Sequence, residues 1–363
     1  MTTAPHLLIT TDAVGGVWSY SVELAAGFAR RGIRVTVVTL GPRPTAAQCA
    51  ALHADLVQTD LPLDWTASSR AALDAAAAAL AAAAHHAGAD SVHLHTPALI
   101  GHAAWPCPVV AVAHSCVATW WRAVRGGALP ADLAWRADAM AAGLARADAV
   151  VAPSRSFARM LLDAYPAVPR LHVVHNGRTP LAGRRTKAAA PPVFTAGRLW
   201  DEAKGAATLD VTARTLGTAI RAAGPVIGPN GAAFAAGTLR LLGPLDSAAM
   251  ASEFAAAAAF ASAACYEPFG LAVLEAAQAG LPLVLSDIAT HRELWDGAAR
   301  FVPCGDAAGF CLALREVLDD ASLAETLAQA ARARAADFSA DATASRTLAI
   351  HAAIARGEWA TAA

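Results

Sequence analysis

The sequence predicts two doubly wound α/β domains, each with a parallel sheet covered by helices. Two observations carry this prediction. Short apolar runs alternate with helical patterns in both halves of the 363-residue chain, which is typical of βαβ units. A polar, proline-containing stretch at residues 177–192 has no periodicity and separates the two series. A chain of this length also exceeds what one hydrophobic core normally organises, so two domains are the expected division.

The N-terminal half opens with a strand, a helix and a second strand. The apolar run His6–Thr10 precedes a helical pattern at Trp18–Arg31, which Gly32 closes. The run Arg34–Leu40 has the composition of a buried strand. Further strands are predicted at Ser91–His95, Val109–Ala113 and Ala149–Ala152.

The same alternation restarts after residue 192. The pattern predicts a strand at Val193–Ala196 and a helix at Ala206–Leu216. Later strands are predicted at Pro225–Ile227, Leu239–Leu242, Ala257–Ala261 and Leu283–Ser286. We therefore expect domains at residues 1–177 and 178–340, followed by a C-terminal segment at 341–363 with a helix at Ala342–Trp359. Ligands of such sheets bind beyond the carboxyl ends of the strands, so the two halves are expected to face each other across a cleft.

Composition and charge argue against several kinds of partner. The formal net charge is −1 at pH 7, which gives no indication of nucleic acid or of a strongly anionic membrane surface. The six cysteines form no CxxC pair, so a zinc site is disfavoured and reduced thiols in a cytoplasm are expected. The alanine-rich run at residues 75–84 is too short to span a bilayer. The first residues lack the pattern of a signal peptide.

A glycine-rich turn follows the first predicted strand. It runs from Asp12 to Trp18 and contains Gly15-Gly16 directly before the helix. Adjacent glycines let the backbone approach a ligand, and a helix N-terminus favours a phosphate there. The turn is not GxGxxG and has no acidic partner about twenty residues later, so a nicotinamide cofactor is disfavoured. A turn needed only for strand–helix packing is the alternative.

Two cations flank the turn after the first strand of the second half. Arg198 and Lys204 lie on either side of residues 199–203, and Lys204 is one of only two lysines in the chain. Paired positive charges at a strand end suit a diphosphate, whose charge needs neutralisation where no metal supplies it. A solvated loop with ordinary surface charges is the alternative.

Two carboxylates surround a Pro-Phe-Gly turn. Glu267 precedes Pro268-Phe269-Gly270, and Glu275 lies within a helix predicted at Leu271–Ala279. At about 100° per residue the two carboxylates do not stack, so we expect them to contact two parts of one elongated ligand. Carboxylates accept hydrogen bonds from hydroxyl groups, and the amides of residues 269–271 suit an oxyanion. A capping carboxylate beside a buried, paired glutamate is the alternative.

Together these motifs resemble the retaining glycosyltransferases of family 4, which have the GT-B fold of two Rossmann-like domains. The family's Glu-x7-Glu motif is met by Glu267 and Glu275, and its Gly-Arg-x(n)-Lys-Gly element by Arg198 and Lys204. Its N-terminal Gly-Gly loop is met by Gly15-Gly16. Two further segments also resemble the family, namely Ala113-His114-Ser115 near the transferred sugar and Leu242-Gly243-Pro244-Leu245 near the nucleotide base.

The resemblance implies transfer of a hexosyl group from a nucleotide-diphosphate sugar, such as a UDP-sugar, with retention of anomeric configuration. It implies no cofactor and no metal, which agrees with the absence of an Asp-x-Asp motif. The catalytic residues that it implies are Arg198, Lys204, Glu267 and His114. The donor-binding residues that it implies are Gly15, Gly16, Phe269, Gly270, Leu271, Glu275 and Leu245. The C-terminal helix is expected to pack back on the first domain.

The family binds its acceptor in the first domain, where most of the tryptophans fall. We expect Asp12, Trp18 and Trp120 to contact the acceptor, since aromatic faces bind sugar rings; core positions are the alternative for several tryptophans. The implied acceptor is a carbohydrate or a lipid-linked sugar, so membrane contact is expected to be at most peripheral, at the inner face.

Two other functions stay open at this point. A nucleotide-sugar 2-epimerase has the same architecture, but it needs acidic residues and histidines placed for proton abstraction, and the motifs do not show that pattern. A catalytically silent homologue that only binds a nucleotide sugar is the other. The intact set of Arg198, Lys204 and Glu267 argues against it.

Overall fold

The computed structural model describes residues 4–183 and 190–358. The chain divides into two compact units, one of residues 1–177 with 340–363 and one of residues 178–339. We call them unit 1 and unit 2. Each contains one sheet whose strands are all parallel. The predicted class, two α/β domains with parallel sheets, is therefore confirmed.

The sheet of unit 1 has seven strands among the described residues. They are β1 (His6–Asp12), β2 (Arg34–Leu40), β3 (Asp55–Gln58), β4 (Ser91–Leu94), β5 (Val109–Val112), β6 (Ala149–Ala152) and β7 (Leu171–Val173). Their order across the sheet is β3-β2-β1-β4-β5-β6-β7. The chain order therefore reverses between β1 and β4, and such a switch point is where ligands bind in this class of fold.

Helices cover the sheet of unit 1. They are α1 (Gly16–Ala29), α2 (Ala46–Ala51), α3 (Arg70–Ala87), α4 (Val117–Val124), α5 (Ala131–Arg146) and α6 (Arg155–Ala164). The alanine-rich α3 shows why the local sequence is helical. Ser69 caps its first turn by accepting a hydrogen bond from the amide of Ala72, and Gly88 ends it in the left-handed conformation. Its buried positions recur every three or four residues, from Leu73 to Ala84.

Unit 2 repeats this plan with a six-stranded sheet in the described residues. Its strands are β8 (Val193–Ala196), β9 (Ile220–Ala223), β10 (Arg240–Gly243), β11 (Ala259–Ser262), β12 (Leu283–Ser286) and β13 (Ala299–Val302). Its helices are α7 (Ala206–Leu216), α8 (Ser247–Ala256), α9 (Leu271–Gln278), α10 (Ala289–Trp295), α11 (Ala307–Asp319) and α12 (Ala321–Ala335). The strand order β10-β9-β8-β11-β12-β13 places the switch point between β8 and β11.

Two hydrophobic clusters cover the faces of the unit 2 sheet. Neighbouring strand residues alternate between the clusters, as Val193 and Phe194 show, because successive side chains of a strand point to opposite faces. Trp295 and Phe338 pack edge to face in one cluster, with ring centroids 5.8 Å apart. Both faces are therefore buried, and only the strand ends are left for polar chemistry.

The last helix, α13 (Ala340–Ala355), belongs to unit 1. It approaches α1 so closely that a Cβ atom on Gly27 would lie 2.5 Å from the Cβ of Ala344. Leu348 also packs on this core, and Arg31 forms an ion pair of 2.9 Å with Asp341 at the rim. Small residues at the crossing let the two helices pack tightly.

The predicted strand at Pro225–Ile227 is wrong. The strand at this point is β9, which ends before Gly224, and Ile227 makes only an isolated bridge to Ala233. Pro225 has no amide hydrogen to donate to a ladder. Gly224 has φ +131, and a Cβ there would lie 1.8 Å from the carbonyl oxygen of Gly197, so the chain must turn at this residue.

Three strands lacked a sequence signal and were not predicted, namely β3, β7 and β13. The stretch at 177–192, read as a linker, is only partly described, because residues 184–189 lie outside the described residues. Trp359, at the end of the predicted last helix, also lies outside them.

Candidate functional site

The switch point of unit 2 brings together the two motifs with charged residues. Lys204 follows β8 and Glu267 follows β11, and these strands are neighbours in the sheet. Lys204 Nζ donates a hydrogen bond of 2.6 Å to Glu267 Oε2. The side chains are 17% and 18% exposed. Residues separated by 63 positions in the chain thus form one partly buried ion pair at the sheet edge where ligands bind.

Backbone contacts hold the two loops of this pair together. The carbonyl oxygen of Ala203 accepts hydrogen bonds from the amides of Cys265 at 2.8 Å and Tyr266 at 3.4 Å. Gly205 has φ +65, and a Cβ atom there would lie 2.1 Å from the carbonyl oxygen of Ala263. Only glycine permits both this conformation and this approach. The position of Lys204 relative to Glu267 is therefore fixed by main-chain packing.

The charge balance around Glu267 favours the ionised form. Burial, the largest single influence, would raise the pKa of this carboxyl, but the neighbouring positive groups, Lys204 first among them, together outweigh it and the pKa is lowered. Glu267 is thus an anionic hydrogen-bond acceptor at neutral pH, and one of its oxygens is already bound by Lys204.

Arg198 is the second predicted cation of this site. Its Nη2 donates a 2.9 Å hydrogen bond to Asp201 Oδ2, and its guanidinium lies 5.5 Å from the ring centre of Trp200. The Arg198 side chain is 31% exposed, whereas that of Asp201 is 5% exposed. Asp201 also accepts a hydrogen bond from the amide of Ala203. The guanidinium is therefore oriented from one side and keeps N–H groups that face solvent.

The second carboxylate of the motif has a partner that the sequence did not indicate. Arg178 Nε donates a hydrogen bond of 2.8 Å to Glu275 Oε1, and both side chains are 10% exposed. Gln278 holds Arg178 in turn, by donating to its carbonyl oxygen at 2.8 Å. Arg178 stands in the aperiodic stretch that predicted only a linker, so no periodicity pointed to it. The two glutamates have different cations, in agreement with their predicted separation.

The Pro-Phe-Gly turn places backbone rather than side chains at the start of α9. Phe269 is 2% exposed and lies in the core, edge to face with Phe338 at 5.6 Å. Gly270 has φ +93 and precedes Leu271, the first residue of α9. Leu245 is half-buried against the same core. A donor contact of Phe269 is therefore expected from its amide only.

The switch point of unit 1 carries the N-terminal motif. Asp12 ends β1, and its Oδ1 accepts a hydrogen bond of 2.8 Å from the amide of Val14. Gly15 and Gly16 are exposed, and no side chain caps the N-terminus of α1. His95 follows β4, the strand beside β1. The predicted glycine turn thus lies at the point where this fold class binds ligands.

His114 lies in a group of aromatic rings at the carboxyl ends of β4 and β5. Its ring meets those of His95 and Tyr20 edge to face, with centroids 4.8 Å and 4.9 Å apart. Burial lowers the pKa of His114 to about 4 and lowers that of His95 as well. The Nε2 atoms of both histidines are buried without a hydrogen-bond partner. Two neutral imidazoles therefore offer unused polar atoms, and the sequence indicated only one of them.

A second carboxylate accompanies Asp12 in unit 1. Asp64 is partly buried, and its Oδ1 accepts a 2.9 Å hydrogen bond from the amide of Trp65. Burial raises the pKa of Asp64 to about 6, and the charge of Asp12 acts in the same direction. A carboxyl group with this pKa can exchange a proton near neutral pH. It lies in a loop without a motif, so the sequence did not identify it.

The predicted acceptor tryptophans have different environments. Trp18 is 5% exposed and packs in the hydrophobic core with Leu7 and Ile9. Its burial corrects the expected acceptor contact and favours the core alternative, because a ring that faces the core presents no surface to a sugar. Trp120 is half-buried on α4, beside Trp121 with ring centroids 6.4 Å apart. It stays the predicted aromatic platform.

The described residues also bear on metals and membranes. No group of three or more His, Cys, Asp or Glu side chains among them is placed to hold a metal ion. None of the helices in the same residues is long and apolar enough to cross a membrane.

Known proteins match both halves of this chain. The family model of Glycosyltransferase Family 4 matches residues 14–180, and that of Glycosyl transferases group 1 matches residues 190–320. A glycogen synthase from Mycobacterium tuberculosis is 31% identical over 294 residues, which cover 74% of this chain and 70% of the relative. A phosphatidyl-myo-inositol mannosyltransferase from Mycolicibacterium smegmatis is 42% identical over 91 residues, 24% of each chain.

Solved structures share the fold at lower identity. Sucrose-phosphate synthase from Thermosynechococcus elongatus superposes with a TM-score of 0.76 and 19% identity, over 98% of this chain and 100% of that chain. Anabaena HepE, solved with UDP and glucose, gives a TM-score of 0.74 and 16% identity, over 96% of this chain and 99% of that chain. The fold is therefore GT-B, and the sequence relationship shows that the chain belongs to the family 4 glycosyltransferases.

Proposed function

We propose that this glycosyltransferase moves a hexosyl group from a nucleotide-diphosphate sugar to a carbohydrate or glycolipid acceptor, with retention of configuration and without a metal ion. Unit 2 binds most of the donor, and unit 1 binds the acceptor and contributes the Gly15-Gly16 turn to the donor. The observation that carries the proposal is the Lys204–Glu267 pair, 2.6 Å between Nζ and Oε2 at the switch point of unit 2.

The pair supplies the two kinds of contact that a sugar diphosphate needs. Lys204 and Arg198 are cations for the diphosphate, whose negative charge grows as the glycosidic bond breaks. Glu267 is held ionised and accepts hydrogen bonds from sugar hydroxyls. Glu275, oriented by Arg178 at 2.8 Å, is the carboxylate proposed to accept hydrogen bonds from the ribose.

The proposed chemistry follows from the charges. The acceptor hydroxyl attacks on the face from which the phosphate leaves, and a leaving phosphate oxygen takes the hydroxyl proton. The bond from the anomeric carbon to phosphate breaks as the bond to the acceptor oxygen forms. Arg198 and Lys204 stabilise the departing diphosphate, and this interaction accelerates transfer because it strengthens in the transition state.

The activities for which the relatives are named support a hexose donor. The mycobacterial relatives are a glycogen synthase and a mannosyltransferase of phosphatidyl-myo-inositol, and HepE has also been solved with UDP-glucose. We propose a UDP- or ADP-hexose as donor, and a carbohydrate or an inositol-type glycolipid as acceptor.

The test combines product analysis with matched variants. The purified chain is incubated with UDP- and ADP-hexoses, with and without glucan or glycolipid acceptors, and with EDTA throughout. We expect an acceptor-dependent product whose anomeric configuration, read by NMR, equals that of the donor. Formation of an epimeric nucleotide sugar without acceptor would instead establish an epimerase, and an inverted product or a need for metal would contradict the mechanism.

Two variants test the charge assignment, and a third is the control. Arg198→Ala and Lys204→Ala are expected to slow nucleotide-diphosphate release by about 10²-fold or more, the scale found when one charge-stabilising donor is removed. Arg300→Ala removes an arginine of β13 in unit 2 whose ion pair with Glu316 of α11 is exposed, and it is expected to behave like the wild type. Unchanged release in the first two variants would refute the assignment.

A further inference from the structure

His291 is a buried histidine of unit 2 for which the motifs gave no role. It lies on α10, directly after β12, and is 0% exposed. Its Nδ1 lies 2.9 Å from the carbonyl oxygen of Ser286. A carbonyl only accepts, so Nδ1 carries the proton and donates it. The tautomer is thereby fixed, and Nε2 carries a lone pair.

This lone pair has no partner, although it is buried. The Nε2 atom makes no hydrogen bond in the described structure. Leaving a buried acceptor unpaired destabilises a fold, so such atoms are rare and often belong to functional sites. The charged groups that act on His291 are Glu267, from the loop before α9, and Lys204, from the turn after β8. The strand before His291, β12, also pairs with β11, which leads to Glu267, so His291 lies at the same end of the sheet as the ion pair proposed to bind the donor.

Lys204 has unused hydrogen-bond donors, whereas His291 has an unused acceptor. An ammonium group has three N–H donors, and the structure shows one of them used, toward Glu267. The side chain is 17% exposed, so solvent does not readily satisfy the others. A donor phosphate would take the second N–H and displace solvent from the third.

We infer that Nε2 of His291 accepts this third N–H of Lys204 when a nucleotide-sugar donor is bound, so that His291 is a positioning residue for the lysine. This inference rests on the proposed function of Lys204. In the donor complex Glu267, the diphosphate and His291 then surround the ammonium group, and its charge is directed at the leaving phosphate.

Two substitutions distinguish the roles of the two ring nitrogens of His291. His291→Asn keeps an N–H near the Nδ1 position for the Ser286 carbonyl but has no atom at the Nε2 position. His291→Gln reaches the Nε2 position with an amide oxygen. The control is His6→Asn in unit 1, because the His6 Nδ1 also lies 3.0 Å from a carbonyl oxygen, that of Ala87.

The measurement is the affinity for UDP-glucose and ADP-glucose by calorimetry, without acceptor. We expect His291→Asn to weaken binding by about 10- to 100-fold, the range for a hydrogen bond to a charged group, His291→Gln to recover part of it, and His6→Asn to change nothing. Binding by His291→Asn equal to that of the wild type would overturn the inference. If Lys204→Ala also binds as the wild type does, the proposed function fails with it.

The pH dependence of the unmodified protein gives an independent test that needs no variant to fold. His291 is the only histidine between residues 178 and 339, and burial lowers its pKa below the ordinary 6.5. Nucleotide sugars have no phosphate group that titrates in this range, and the pKa of Glu267 is lowered from its ordinary value. Donor affinity should fall as pH decreases below the lowered pKa of His291, which an NMR titration of the donor-free protein locates, because a protonated Nε2 cannot accept from lysine. A donor affinity that stays constant across the pH range in which NMR shows His291 becoming protonated would overturn the inference.

Discussion

Gly205 allows the sharpest test of how main-chain packing fixes Lys204. It directly precedes α7 with φ +65, and Gly217 directly follows the same helix with φ +82. A Cβ atom on Gly205 would lie 2.1 Å from the carbonyl oxygen of Ala263, whereas a Cβ atom on Gly217 would meet nothing within 4 Å. Substitution by alanine therefore places a side chain at positive φ at both ends of α7, which is unfavourable at both. It adds a steric clash at Gly205 only.

The magnitudes follow from these two terms. A left-handed alanine costs about 1–2 kcal/mol at either site. At Gly205 the contact must also open by about 1 Å to reach van der Waals separation, and overpacking of this kind costs about 1–3 kcal/mol more. For a domain of this size, each kcal/mol lowers the melting temperature by about 2–4 °C.

Scanning calorimetry measures the melting temperature of each variant, and donor titration measures its affinity for the nucleotide sugar. Gly217→Ala is expected to lower the melting temperature of unit 2 slightly and to bind donor as the wild type does. Gly205→Ala is expected to melt lower still and to bind donor at least tenfold more weakly, because the turn that carries Lys204 moves from Glu267. Equal melting temperatures and equal donor affinities for the two variants would show that the close approach of Gly205 to Ala263 does not fix the position of Lys204.

Three further outcomes are expected. His114→Ala should lower the transfer rate and leave donor affinity unchanged in calorimetry, since the acceptor is assigned to unit 1; a loss of donor affinity would contradict this. Arg178→Ala should destabilise unit 2 by about 3–5 kcal/mol in urea unfolding, because it removes the guanidinium that binds the 10% exposed carboxylate of Glu275 at 2.8 Å; Arg178→Lys should recover part of this, and an unchanged midpoint would count against it. Burial lowers the pKa of His351 to about 3, so between about pH 6.5 and 3 the unfolded chain binds a proton that the folded chain does not. The free energy of unfolding therefore decreases as the pH decreases, by up to about 1.4 kcal/mol per pH unit. His351→Gln should make this slope shallower, and a slope equal to that of the wild type would be contrary evidence.

The sequence was informative where chemistry and turn geometry coincide in a short segment. Lys204, Glu267 and Gly270 stand in motifs whose residue types are needed locally, by charge or by a positive φ. Their proximity was not visible in the same way, because it depends on β8 and β11 being neighbours in the sheet. Only a likeness to known proteins, or the structure, supplies that pairing.

The residues that were missed lack local patterns. Arg178 stands in an aperiodic stretch and acquires its role through Glu275, 97 positions away. Asp64 lies in a loop, and its raised pKa arises from burial and from Asp12, neither of which composition reveals. Trp18 was assigned to the acceptor because it follows the glycine turn, but the helical period could not show which side of α1 faces the core.

The proposed mechanism requires that Lys204 stabilise the departing diphosphate more strongly than the bound donor. The direct measurement is kcat for transfer by Lys204→Ala at saturating nucleotide sugar, beside its donor Kd. We expect kcat to fall by about 10²-fold or more, a larger factor than the rise in Kd. A variant that binds donor more weakly but transfers at the wild-type kcat would contradict it, because lysine would then contribute only to ground-state binding.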